Sequence, residues 1–224
     1  MKVLMLMDNN SYPGREYLSK LIGLNIDVAI FGKYPEKDAQ EDERCGNLWV
    51  PKTENKLEKH FNFFRFSSLK SHNFLAFLKK GEYELGIQGG TGIIKKDVID
   101  SFNIGIINFH PGNLPFYRGC SAPEWQLLEE NEIICTAHFI DEGIDTGKII
   151  HKFLLKPDLS SYEAFRASIY PQISDYVRDF FQKIFDDARF IFDSTIQDEN
   201  EAQYRKYIGD EKIDLLREYL KNGE

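Results

Sequence analysis

The chain has 224 residues, 42% hydrophobic and 29% charged, and its 18 Phe and 11 Tyr give it more to bury than a disordered chain carries; one core of ordinary size, or a domain of roughly 180 residues with an appendage, accounts for it. A formal net charge of −8, with no basic run longer than Lys79-Lys80 or Lys95-Lys96, argues against binding to nucleic acid, which draws on clustered Lys and Arg. Cys45, Cys120 and Cys135 are too few and too scattered for a disulfide framework or a zinc knuckle, the apolar start Val3–Met7 is too short for a signal peptide and no long apolar run follows, so a cytoplasmic protein with no membrane partner is expected.

In chain order, Val3–Met7 reads as a central strand, Pro13-Gly14 and Arg15–Leu24 as the helix crossing over it, and Ile26–Phe31 as a second parallel strand. Asp8-Asn9-Asn10-Ser11 between the first two has turn chemistry. Residues 33–60 are polar and charge-rich around one apolar knot, Leu48-Trp49-Val50-Pro51, and suit a substrate loop or a solvated excursion equally. Phe61–Phe66 is a short strand, Leu69–Lys80 a helix and Glu84–Gln88 another strand. Gly89-Gly90-Thr91-Gly92 follows, and three glycines in four positions leave main-chain groups bare enough for a ligand to approach. Lys95–Phe102 reads as a short helix.

Gly105–Phe109 reads as a buried parallel strand stopped by Pro111-Gly112, which places His110 just past its carboxyl end, where open α/β sheets put ligands. The loop Gly112–Gly119 turns sharply, and within it Arg118 either clamps a phosphate or locks the loop through an acid. Ser121 is expected to cap a helix running to about Asn131, with Pro123 in the first turn and Glu124 completing a capping box. A strand over Ile133–Ile140 leads into the polar stretch 141–147, DEGIDTG, and Gly147–Leu155 is the last strand. His138, inside an apolar strand, fits a satisfied core histidine better than a second catalyst.

Ser160-Ser161-Tyr162-Glu163 reads as a capping box opening a long amphipathic helix, kinked at Pro171, whose apolar stripe is core or the surface of a homodimer. Past Asp187, Phe190–Phe192 suggests an edge strand and Lys212–Lys221 a terminal helix.

Asn108 and His110 are two apart on an extended chain, so both side chains face the same way and can meet one reacting group. Asp145 lies in the loop beside the same crevice. An amide, an imidazole and a carboxylate suit acyl transfer: a donor for the developing oxyanion, a base for the nucleophile's proton and an acid to orient that base.

Asn108-Phe109-His110-Pro111 with Leu114-Pro115, then Tyr117-Arg118-Gly119, Pro123 and Trp125, then His138 through Asp145-Thr146-Gly147-Lys148-Ile149-Ile150, closely resembles the folate-dependent formyltransferases. The match is densest over residues 104–150, its parts keep family order along most of residues 1–185, and Gln203–Tyr207 resembles a feature near the end of the family's catalytic domain. The resemblance implies an α/β fold with a Rossmann-like, mostly parallel sheet flanked by helices: a catalytic domain over residues 1–187 and a short C-terminal extension over 188–224, packed on it or at an oligomer interface. It implies Asn108, His110 and Asp145 as the catalytic set and no metal. The co-substrate it implies is 10-formyltetrahydrofolate, held by Gly90, Gly92, Ile93, Ile94, Asp141 and Ile144.

For the acceptor, the purine-pathway member binds its substrate phosphate on a glycine-rich loop after the first strand, and Asp8–Gly14 departs from that pattern. Initiator tRNA is disfavoured by the charge and by a tail too short for that enzyme's β-barrel. The expectation is a nucleotide-linked 4-amino or 3-amino deoxysugar used for surface polysaccharide such as O-antigen, with dTDP preferred as carrier and contacts from Asn9, Tyr117, Arg118 and the 33–60 loop. The opposing class is a folate-binding regulatory protein on the same fold.

Overall fold

Alternation along Val3–Asp8 (β1) decides how the two sides of the sheet are filled. Val3, Met5 and Met7 belong to one apolar cluster and Leu4 and Leu6 to another, as expected for a central strand buried on both faces. The computed structural model describes residues 1–9, 11–32, 44–49, 57, 59–130, 132–187 and 189–222.

Beside β1 run Ile26–Phe31 (β2) and Leu85–Gln88 (β4), both parallel to it; Asn62–Phe66 (β3) extends the sheet past β2, and Gly105–His110 (β5) extends it past β4, again in parallel. Ile133–Phe139 (β7) and Ile149–Leu155 (β8) add two antiparallel strands, giving the order β3-β2-β1-β4-β5-β7-β8. The chain moves outward through β2 and β3, then returns to the other side of β1. That reversal opens a crevice at the carboxyl ends of β1 and β4, next to the end of β5.

Helices Tyr12–Leu21 (α1) and Tyr162–Asp186 (α5) cover the first face, where Tyr17, Leu21, Phe165, Ile169, Ile173, Val177 and Phe181 meet the odd-numbered side of β1. His72–Gly81 (α2) and Lys96–Ile99 (α3) cover the other through Phe74, Leu78 and Val98. Ile213, Leu216 and Leu220 of Asp210–Asn222 (α6) join the first cluster, so the C-terminal segment packs on the same core.

Several local expectations shift. Helix α1 starts at Tyr12, not Arg15, because the Ser11 hydroxyl accepts from Gly14 N at 3.0 Å and caps it. The long helix is capped by Ser161, whose hydroxyl accepts from Ala164 N at 3.0 Å, one residue later than the expected box. Ser121 does not cap Ala122–Glu129 (α4) with its side chain, and Glu124 is wholly buried in ion pairs instead. Phe190 and Phe192 form no strand; their rings pack on Phe180. A two-residue strand, Tyr204–Arg205 (β9), pairs in parallel with Arg118–Gly119 (β6). Asn10, Val50 and Pro51, and most of the 33–60 stretch, lie outside the described residues.

Candidate active site

β5 delivers the first two groups. Ile107 and Phe109 face the α5 cluster, so Asn108 and His110 share the opposite side, and His110 is the last residue of the strand, one position earlier than expected. His110 is nearly buried, and its Nε2 lies 2.6 Å from the Tyr117 carbonyl oxygen. A carbonyl only accepts, so Nε2 carries the proton and the lone pair of the neutral ring is on Nδ1. Nδ1 faces Asp145 Oδ2 at 3.5 Å. Gly112 makes this placement sterically feasible, since a Cβ there would sit 2.5 Å from His110 Nε2.

The loop after His110 is pinned by two buried polar side chains that the sequence did not single out. Thr136, the cross-strand partner of His110, donates to Gly112 O at 2.6 Å and accepts from Leu114 N at 3.2 Å. Gln126 donates to Pro111 O at 3.1 Å while its oxygen accepts from Asn113 N and Ile134 N, both at 3.1 Å.

Asp145 sits between two imidazoles. Its Oδ2 accepts from Gly119 N at 2.9 Å, and its Oδ1 lies 3.6 Å from Nε2 of His138. His138 lies directly across from Asn108 in the β5–β7 pairing. Its Nδ1 donates to Phe139 O at 2.8 Å, which leaves Nε2 as an acceptor for the Asn108 amide at 3.1 Å. One N–H of Asn108 is thereby fixed and the other can be offered to an oxyanion. Burial pushes the His138 pKa down to about 4, against the opposing pull of Asp145, so the neutral acceptor form prevails near neutrality.

Two cavities meet here. The larger, about 740 Å³, is lined by Asn108, His110, Gln88, Gly90, Gly119–Pro123, Arg44, Arg166, Tyr170 and Tyr207. The smaller, about 510 Å³, is lined by Gln88, Thr91–Lys95, Asn108, His138 and Ile140–Asp145. Asn108 and Gln88 border both. Ile93 and Ile144, 67% and 55% exposed, present apolar surface to the smaller one, and a Cβ on Gly92 would meet no atom. Gly92, Ile93, Ile94, Asp141 and Ile144 therefore gather at one cavity, whereas Gly90 lies at the other with its N–H bound to Gln88 Oε1 at 2.8 Å.

The three residues expected to touch the acceptor are not at either cavity. Arg118 is fully buried and all five of its N–H groups are used: Nε and Nη2 donate to Gln197 Oε1 at 3.1 and 2.8 Å, Nη1 and Nη2 to Glu199 at 2.9 and 2.7 Å, and Nη1 also to Tyr204 OH at 3.2 Å. It locks the loop instead of clamping a phosphate, and the bond to Glu199 holds its pKa above the ordinary arginine value. The Tyr117 hydroxyl donates to Glu129 Oε2 at 3.0 Å and its ring lies under Arg205; only its carbonyl reaches the site. Asn9 is buried, its carbonyl accepting from Arg15 Nη2 at 2.7 Å, and it borders a void of about 10 Å³ with Met7 and Leu57. In their place stand Arg44 and Arg166, which both pair with buried Glu124. Arg44 belongs to the 33–60 stretch from which contacts were expected, though no single residue there stood out; Arg166 lies on α5, far from the motif.

A mostly parallel α/β sheet thus brings an amide, an imidazole and a carboxylate together at a strand end. The family model described as formyl transferase matches residues 1–158, and the chain belongs to that family. A methionyl-tRNA formyltransferase from Flavobacterium johnsoniae is 34% identical over 134 residues, 59% of this chain and 42% of that protein. The chain thus spans less than half the length of the curated relatives it matches. Among solved structures, an N-formyltransferase from Helicobacter canadensis, in complex with folinic acid and dTDP-3-aminofucose, superposes with a TM-score of 0.59 at 19% identity, covering 92% of this chain and 71% of that one. A phosphoribosylglycinamide formyltransferase from Streptococcus pneumoniae gives 0.58 at 17% identity, with 82% and 98% covered.

Proposed function

We propose that the chain transfers a formyl group from 10-formyltetrahydrofolate to the amine of a nucleotide-linked amino deoxysugar. The observation that carries this reading is the position of Asn108 on the wall shared by two cavities. The smaller has the bare glycine and exposed apolar side chains that suit a flat heterocycle read by main-chain groups. The larger is roomy enough for an extended polar acceptor, and Arg44 and Arg166 reach its wall beside the buried carboxylate of Glu124. The complex of the Helicobacter canadensis relative, which holds both a folate and a dTDP-sugar, supports the pairing of ligands.

In the reaction the uncharged amine attacks the formyl carbon from the side of the larger cavity. The Asn108 N–H not bound to His138 donates to the oxyanion that forms, worth about 2.7–4 kcal/mol of barrier. His110 Nδ1, the ring nitrogen with a lone pair, takes the proton the amine loses, directly or through water, for a gain of roughly 10²–10⁴-fold. The imidazolium then faces the Asp145 carboxylate across 3.5 Å, while Nε2 stays on the Tyr117 carbonyl, so the ring does not turn. Collapse releases the formylated amine and returns the proton to the departing donor nitrogen.

Residues 1–187 would form the catalytic domain and 188–224 an extension that completes it. No helix among the described residues is long and apolar enough to cross a membrane, and we place the reaction in the cytoplasm, on the route to a surface polysaccharide such as O-antigen, with dTDP the preferred carrier.

The test is formyl transfer from 10-formyltetrahydrofolate to a panel of dTDP-, UDP- and GDP-linked amino sugars, phosphoribosylglycinamide and methionyl-tRNA. Turnover on one or more sugars is expected. Turnover on phosphoribosylglycinamide or methionyl-tRNA alone would overturn the acceptor and leave the catalytic set standing; folate binding without transfer to any amine would favour a regulatory protein.

A further inference from the structure

Asp145 has a backbone φ of 56°, in the left-handed region that a side-chain-bearing residue keeps only when its surroundings impose it. The Gln197 side chain, on the segment after the long helix, is bonded to the carbonyl of Asp145. This side chain is 5% exposed and every hydrogen-bonding position on it is filled. Nε2 donates to Asp145 O at 2.8 Å and to Gly147 O at 2.7 Å; Oε1 accepts twice from Arg118, at 3.1 and 2.8 Å. The far end of that chain is fixed as well, because Arg118 is held by Glu199 and Tyr204. The backbone that carries Gln197 is tied to the sheet two residues earlier, where Thr195 and Ile149 exchange N–H···O bonds of 2.8 Å each. Arg118 also precedes Gly119, whose N–H holds the Asp145 carboxylate at 2.9 Å.

We propose that Gln197 is a positioning residue for Asp145: it grips the two carbonyls flanking Thr146 and, through Arg118, sets the Asp145 backbone in register with the Gly119 amide that orients its carboxylate toward His110. The inference rests on the reading of Asp145 as part of the catalytic set. It gives residues 190–205 a part in the chemistry, although none of them touches a reacting atom.

Gln197→Glu isolates the effect. The acceptor for Arg118 is kept, but the donors are replaced by an oxygen that faces two carbonyl oxygens. A carboxylate misplaced by a fraction of an ångström to an ångström lowers turnover roughly ten- to hundredfold, and the KM values of donor and acceptor stay within about threefold because no side chain that lines either cavity is replaced. The amide proton of Gly119, followed by NMR in the folded protein, shifts toward its position in Asp145→Ala. A merely stabilising glutamine would lower the melting temperature and leave that resonance and kcat in place; kcat within twofold of native, or an unmoved Gly119 resonance, overturns the proposal. If Gln197→Glu does not fold, Gln197→Met removes the donors, and with them the Arg118 acceptor, without adding charge and is read by the same two measurements. The control is Asp145→Ala: if it retains native turnover the catalytic reading fails, whereas an inactive Asp145→Ala beside a fully active Gln197 variant refutes the positioning role alone.

Discussion

The two cavities that meet at Asn108 are built in different ways. The smaller takes almost its whole wall from two continuous stretches, 91–95 and 140–145, each following a strand end. The larger is assembled from Pro13 and Tyr17 of α1, Arg44, the ends of β4 and β5, residues 119–123, Arg166 and Tyr170 of α5, and Tyr207 near the C-terminus. A wall of contiguous loop presents main-chain groups at fixed spacing and leaves little to vary. A wall gathered from distant elements can change its chemistry one side chain at a time, and under the proposed function that is the acceptor's wall, while the contiguous one is the donor's.

The sharpest way to break that comparison is at Asn108, which with Gln88 is common to both walls. Asn108→Ala should lower turnover about 10²–10³-fold with any acceptor, since it removes the oxyanion donor and not a binding contact; a change confined to one substrate's KM would argue against the shared role.

His138, on the smaller cavity, should give a pH signature of stability. Its pKa is depressed by burial from 6.5 to about 4, so in that interval the unfolded chain binds more protons than the folded one. The stability is fully present above about pH 6.5 and is lost as pH falls toward 4, by about 3 kcal/mol at most. Melting curves of native protein and His138→Gln between pH 7 and 4 should therefore diverge at the high end and converge at the low end. Parallel curves would assign the acid sensitivity elsewhere.

Two further variants separate the walls. Arg44→Ala should raise the acceptor KM about tenfold and leave folate affinity unchanged, through loss of a charge-assisted contact. Gly92→Val should weaken reduced-folate binding severalfold in isothermal titration and leave the acceptor KM alone; a Cβ at Gly92 meets no protein atom, so the added bulk falls only on a ligand. Cross-effects in both variants would mean that the cavities are one site.

Much of the sheet was readable in advance because its strands are short apolar runs bounded by Gly, Pro and Asn, and β2 fell on Ile26–Phe31 as expected. Asn108 and His110 were readable because a two-residue spacing on a strand needs no tertiary knowledge to place both on one side. The role of His138 depends on strand register, since only the pairing with Asn108 turns a buried histidine into an amide anchor. For Arg118 the local sequence left a phosphate clamp and a loop-locking ion pair open, and the partners Gln197 and Glu199 decide for the second; Glu124 suited a capping box, but its partners are Arg44 and Arg166. The wall of the larger cavity was readable only coarsely: the 33–60 stretch that contributes Arg44 was expected there, but neither Arg44 nor Arg166 belongs to a local pattern that singles it out.

The most direct test of the account is single-turnover formyl transfer by His110→Ala, measured beside its affinity for reduced folate. The account predicts a folded variant that binds folate as native protein does and transfers the formyl group at least about a hundredfold more slowly. Near-native transfer by His110→Ala would contradict it.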